Sequence, residues 1–327
     1  MAAIVVTALA GAALAYGVGA RSSHVASAHA LSAERDVANL ARPAWYGLHV
    51  IDRPVDFKAV PTRDAPPVIP AAAGILIDVD AGTILWQQDA HASLPPASTT
   101  KILTALVALE NFDPSRQVTV TDSALHQAGD ETRMGISAGQ RYSLAELLTG
   151  MLLVSGNDAA TAVAEDTVGL VPFVAAMNAQ VAALGLHDSH FTTPVGLQDP
   201  RQYASAYDLA AIASVAIRSF PLFGQIVAMR SATLEATADH PGFTLQSINQ
   251  LLSIYPYATG IKPGWTGDAG YCEVGMAVRG GHRLISVLLN ASYDFRNSRK
   301  LLDWGFIQEG LPSTLPPPPT PAPRSHG

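Results

Sequence analysis

The sequence predicts an α+β domain: one antiparallel β-sheet flanked by helices, with a helical subdomain inserted between its strands. Three observations carry this. Strand-like runs open and close residues 71–310, a long Ala- and Leu-rich helical stretch lies between them, and proline-rich segments bound the whole. With 48% hydrophobic and 14% charged residues, the chain has the material for a buried core and none of the signature of global disorder.

Residues 1–20, "MAAIVVTALAGAALAYGVGA", are apolar throughout. They read as a secretion signal (residues 1–30) or an N-terminal membrane anchor, although no Lys or Arg precedes the apolar run. Small-residue cleavage sites follow Ala20 and Ala30. As an anchor the stretch is barely long enough to span a bilayer; a buried soluble helix is the plainer alternative. Residues 31–70 read as a proline-rich linker, semi-extended over 53–71, where five prolines fall. The tail at 311–327 is a second proline-rich segment, expected not to pack.

Between these lies the ordered region. "GILIDVD" and "GTILWQQ" form a hairpin around Asp80-Ala81-Gly82. "STTKILTALVALE" is apolar nearly all round from Ile102, the pattern of a helix at a domain centre. Helical text runs from Ser143 to Leu184, punctuated by Gly156 and Gly169, and again over 206–219. Strand signals return at 231–238, 257–263, 271–279 and 282–290, the last two joined by Gly280-Gly281. Residues 294–306 read as a closing helix, and no internal repeat is visible.

A net charge of −7 argues against nucleic acid as the main partner. The single cysteine, Cys272, cannot form an internal disulfide and reads as a core strand residue. The histidine spacings match no ligand pattern, so no metal is expected. Lysine is scarce: Lys58, Lys101, Lys262 and Lys300 are the full set.

Two of those lysines fall in short motifs. In Ser98-Thr99-Thr100-Lys101, helical spacing puts hydroxyl and amine on one face at a helix start, where Lys101 could act as base for a Ser nucleophile. The plainer reading is an N-capping Ser with an incidental Lys, but an unpaired ammonium in an apolar helix is costly. Ser155-Gly156-Asn157 could point a hydroxyl and an amide into a cleft, or could be a helix break followed by an N-cap, Asn157 or Asp158, on the Ala-rich helix. Lys262-Pro263-Gly264 lies on a strand, followed by Trp265 and Thr266; there Gly264 would admit another backbone, or the segment is an ordinary edge strand.

Together, the order Ser-x-x-Lys, Ser-x-Asn, Lys-x-Gly is that of penicillin-binding proteins and serine β-lactamases. The chain resembles the low-molecular-mass D-alanyl-D-alanine carboxypeptidases over about Ala73 to Phe306, including "ISAGQRYSLAELLTGMLLVSGNDAATAVAE", "FVAAMNAQVAALGL", "YDLAAIA", "GDAGYC" and "LLDWGF". The resemblance implies a β-lactamase/transpeptidase-like fold and a serine peptidase that trims peptidoglycan stem peptides outside the cytoplasm, with β-lactams as covalent inhibitors. It implies Ser98 as the acyl-forming nucleophile, Lys101 as base, Ser155 and Asn157 as proton relay and substrate holder, and Lys262 as positive charge. The oxyanion is expected between the backbone N–H groups of Ser98 and Trp265, with Gly264 and Thr266 beside the substrate. No organic cofactor or metal is implied.

The chain departs from that pattern twice. Pro263 stands where a Thr or Ser helps hold the substrate carboxylate, and Asp294 stands where an Arg is expected. Both departures touch carboxylate recognition and neither touches acylation. They leave open a DD-endopeptidase or a low-activity penicillin-binding protein, unless Thr259, Thr266 or Arg296 substitutes. A class A β-lactamase needs a downstream Glu, and "HDSHFTTPVGL" holds none. A non-catalytic cell-wall binding protein would not be expected to keep all the motif residues.

Overall fold

The computed structural model describes residues 47–127, 132–292 and 295–315. The N-terminal apolar segment, Asp294 and residues 316–327 lie outside them.

Alternating apolar residues build the sheet. In β2 (Ala71–Asp78), Ala73, Ile75 and Ile77 face one cluster of core residues and Leu76 faces another. In β10 (His282–Ala291), Ile285, Val287 and Leu289 join the first cluster, and Leu284 and Leu288 the second. Both faces of these strands are therefore covered, as a central position demands. The six-stranded sheet also holds β1 (Lys58–Ala59), β3 (Thr83–Gln88), β8 (Ala258–Thr266) and β9 (Gly270–Arg279), in the order β1-β3-β2-β10-β9-β8. Its pairings are antiparallel except β1 with β3. Gly280 and Gly281, at φ 60° and 88°, make the two-residue β9–β10 turn that needs left-handed backbone.

The insertion between β3 and β8 is mostly helical: α1 (Lys101–Asn111), α2 (Asp122–Gln127), α3 (Leu144–Leu153), α4 (Asn157–Val168), α5 (Leu170–Ala183), α6 (Ala206–Ser219), α7 (Pro221–Ala228) and α8 (Leu251–Ile254). From Lys101 to Leu109 every residue of α1 is buried. Helix α3 opens on a capping box: Ser143 Oγ accepts from the Glu146 N–H, and the Glu146 carboxylate accepts from the Ser143 N–H at 2.7 Å. Closing the chain, α9 (Arg296–Gln308) packs Leu301, Leu302, Trp304 and Phe306 into the second cluster. Cys272 is fully buried on β9, and burial pushes its thiol up to about 11. Among the described residues, no single helix is long and apolar enough to cross a membrane.

Several expectations change. The strand expected over 231–238 shrinks to β6 (Ser231–Leu234), half of a small hairpin with β7 (Phe243–Gln246); β4 (Gln117–Thr119) and β5 (Arg141–Ser143) form another. These ribbons are short and partly exposed, so they carry little apolar alternation to read. The expected linker over 53–71 is extended but fastened to the domain. Phe57 and Ile69 are buried, the Val55 N–H donates to Leu184 O, and the Phe57 N–H donates to Tyr207 Oη. The tail was expected not to pack, yet its first residues do. The hydroxyls of Ser313 (2.7 Å) and Thr314 (2.5 Å) donate to the buried Asp303 carboxylate, and Arg279 donates to Pro312 O at 2.7 Å. Proline content signals missing backbone donors, and both segments attach through other residues' donors and apolar side chains.

Candidate active site

Ser98 sits in a 3-10 turn, Ala97–Thr100, that leads directly into α1. The preceding prolines cannot continue a helix backwards, and the Thr99 hydroxyl locks the turn by donating to Pro96 O at 2.6 Å. Ala97 adopts φ 48°, an uncommon left-handed value for a residue with a Cβ. Two glycines allow this turn to be clasped. A Cβ on Gly264 would lie 2.7 Å from Ser98 N, and one on Gly196 would lie 1.9 Å from Ala97 O. Strand β8 thus passes against the serine at backbone distance, and only glycine fits there.

Lys101, the first residue of α1, is fully buried. Its Nζ lies 3.0 Å from Ser98 Oγ, 2.7 Å from Asn157 Oδ1 and 2.8 Å from Val195 O. The first two motifs, 56 residues apart in sequence, therefore meet on one nitrogen. Asn157 opens α4, and the backbone before it turns through Ser155 at φ 62°. Asp158 holds this break in place. Its fully buried carboxylate accepts the N–H groups of Met134 (2.8 Å), Gly135 (2.7 Å), Ile136 (3.2 Å) and Ala159 (2.9 Å). The same loop supplies Thr132, whose hydroxyl donates to Ser155 O and whose carbonyl accepts the Asn157 N–H.

Lys262 is fully buried on β8, donating to Pro263 O at 2.9 Å, and burial pushes its ammonium down to about 7. β8 ends the sheet and pairs only with β9, an edge position where proline is tolerated.

A cavity of about 590 Å³ opens over this constellation. Among the expected residues, Ser98, Ser155, Asn157, Gly264, Trp265 and Thr266 line it; Lys101 lies beneath, bonded to Ser98, and Lys262 is not part of the lining. Pro263 lines it as well. Of the substitutes considered for the missing hydroxyl, only Thr266 reaches the cavity. Thr259 has a buried hydroxyl, and Arg296 is exposed at the start of α9; neither lines the cavity. The lining also includes Thr132, Leu197, Gln198, Ile248, Tyr271 and Phe295, which the sequence reading missed. Leu197 ends "HDSHFTTPVGL", Gln198 follows it, and Tyr271 lies within "GDAGYC", stretches already singled out but with no role given to these residues. Ile248 and Phe295 carried no signal of their own.

A family model described as D-alanyl-D-alanine carboxypeptidase matches residues 60–293, which includes every residue of the three motifs. The chain belongs to that family. It is 38% identical over 257 residues to the D-alanyl-D-alanine carboxypeptidase DacB2 of Mycobacterium tuberculosis, covering 76% of this chain and 85% of the relative. Similarity to DacF of Bacillus subtilis is 33% over 247 residues, and this chain spans only 62% of that protein. Among solved structures, the Streptomyces K15 DD-transpeptidase superposes with a TM-score of 0.70 at 29% identity, covering 75% of this chain and all of that one. The D-alanyl-D-alanine carboxypeptidase of M. tuberculosis superposes at 0.68 with 35% identity, covering 81% of this chain and 97% of that one. Family membership and fold thus agree with the resemblance carried by the motifs.

Proposed function

We propose that this chain is a serine-type D-Ala-D-Ala carboxypeptidase that trims peptidoglycan stem peptides through an acyl-enzyme on Ser98, and that β-lactams acylate the same oxygen. The observation that carries this is the approach of Lys101 Nζ to both Ser98 Oγ and Asn157 Oδ1. A neutral Lys101 keeps two N–H donors for Asn157 Oδ1 and Val195 O and turns its lone pair to the Ser98 hydroxyl. It takes the Ser98 proton as Oγ attacks the penultimate D-Ala carbonyl. The oxyanion forms where β8 abuts the turn, between the N–H groups of Ser98 and Trp265. The proton returns, with Ser155 as relay, to the leaving D-Ala amine, and Asn157 holds the substrate amide. Water then hydrolyses the ester and restores Ser98. Residues 1–30 serve export, with membrane attachment, where it occurs, through residues 1–20; residues 71–310 form the catalytic domain. The test is D-alanine release from a peptide ending in D-Ala-D-Ala, together with a one-to-one covalent β-lactam adduct. Both are expected in the wild type and absent in Ser98→Ala; release that persists in the variant sinks the assignment.

A second reading rests on Pro263 in the cavity lining: the grip on a free C-terminal carboxylate is loosened, and cross-link cleavage gains relative to trimming. Pro263→Thr is then expected to raise the rate ratio of free-acid to C-terminally amidated peptide roughly 10-fold, the worth of one hydrogen bond to a charged group. An unchanged ratio would show that Thr266 already supplies the contact.

Lys262 adds a pH signature. Its folded pKa of about 7 lies below its ordinary 10.5, so between those values the unfolded chain holds a proton that the folded chain lacks. Stability therefore rises with pH across that window, and the contribution is lost again as pH falls through about 7. Activity runs the other way: with the cation required, kcat/KM should fall as pH climbs above about 7. Lys262→Met should lose the stability slope, melt higher than the wild type at pH 6 and be inactive. A wild-type slope in the variant would place the titration elsewhere.

A further inference from the structure

Away from the cavity, three side chains far apart in sequence converge on one point. Asp78 ends β2, His282 opens β10, and Glu309 is the C-cap of α9. One ligand atom from each lies within 4.8 Å of the others. His282 Nδ1 is 2.9 Å from Asp78 Oδ2 and 3.5 Å from Glu309 Oε2.

We propose that Asp78, His282 and Glu309 form a structural divalent-cation site of the zinc type. A ring nitrogen carries at most one proton, yet two carboxylates aim at this one. Glu309 also stands at the negative end of α9, where a carboxylate is disfavoured unless a cation is near. Arg283 does not supply that charge to either ligand: its ion pair is with Asp80, at 3.9 Å. In a tetrahedral zinc site, with ligands about 2.0–2.2 Å from the metal, neighbouring ligand atoms stand about 3.3–3.5 Å apart. The two spacings at His282 lie near that range, and the two carboxylate oxygens, within 4.8 Å of each other, would close on the ion through rotation of the partly exposed Glu309 side chain.

The site is also pre-arranged. Asp78 is buried, and its Oδ1 accepts the N–H groups of Asp80 (2.8 Å) and Ala81 (2.9 Å), which fixes the carboxylate and leaves Oδ2 for the ion. His282 and Glu309 are partly exposed, at 34% and 24%, so the ion has an entry path and room for a water as fourth ligand. The register pairs Leu288 with Glu273 and Ala291 with Tyr271, which flank Cys272 opposite Gly264. His282 therefore lies about 25 Å along β10 from the Ser98 end, at a rise of about 3.3 Å per residue. The ion would staple the closing helix to the β2–β3 turn and would take no part in peptide hydrolysis.

The experiment uses the full chain, dialysed against a chelator and titrated with zinc chloride alone or calcium chloride alone, by calorimetry and thermal melting. One zinc per chain is expected, with a rise in Tm. At a free concentration a hundred times Kd, the folded-to-unfolded ratio should increase about 100-fold. His282→Gln and Glu309→Gln, each of which should fold without metal, should bind at least 10-fold more weakly and lose the Tm rise while keeping D-alanine release. Absence of saturable zinc binding in the wild type overturns the proposal. So does equal binding in both variants, or saturation by calcium in place of zinc.

Discussion

Lys101→Met is expected to cut D-alanine release by roughly 10²–10⁴-fold, the range for removing a positioned proton-transfer group. The methionine fills the volume but cannot accept the Ser98 proton, and it leaves Asn157 Oδ1 and Val195 O without the donors they now receive. Ser98→Ala should fall at least as far. Because both residues serve one step, the double variant should be no slower than the slower single one, as for other catalytic units whose members act together. Single-turnover acylation by a β-lactam would show the same pattern without complication from deacylation. Retention of more than about a tenth of the wild-type rate by Lys101→Met, a loss well short of the roughly 10²-fold minimum for such catalysis, would remove Lys101 from the base role.

Asp158→Ala should produce the largest loss of stability among the variants considered, about 3–5 kcal/mol, comparable to removing one partner of a buried charge network. Four backbone N–H groups converge on this carboxylate, three from the loop at Met134–Ile136, and alanine satisfies none of them. That corresponds to a Tm lower by roughly 10 °C for a chain of this size. Activity should fall too, because the same loop carries Thr132, which bonds to the backbone of Ser155 and Asn157. Asp158→Asn keeps the shape but loses half the acceptors, so it should cost about 1–3 kcal/mol. Urea unfolding distinguishes the three proteins. A loss below about 1 kcal/mol in Asp158→Ala, less than one unsatisfied buried donor, would mean the loop finds other partners.

Part of this is written in the sequence itself. The β2–β3 and β9–β10 hairpins, α1 and α6 were legible because each carries a local signal: β-rich runs joined at turn-forming residues, or a helical stretch dense in apolar residues. The motif residues were legible for a chemical reason. A lysine in an apolar helix, in a chain with only four, is too costly to be idle. Asp158 was half visible as a possible cap, but a cap satisfies one or two donors of its own helix; the three from a loop more than 20 residues upstream had no sequence sign.

By itself, then, the sequence determined the elements with strong periodicity, the α+β class, and the identity and order of the groups that do the chemistry. All of these are properties of residues near one another along the chain. Tertiary structure alone decided which of those groups meet. It brought Asn157 to Lys101, set Gly264 against Ser98, placed Pro263 and Ile248 in one cavity wall and left Arg296 outside it. It also gathered Asp78, His282 and Glu309. Such contacts depend on sheet order and on how closely two backbones can approach, and hydrophobic periodicity carries no information about either.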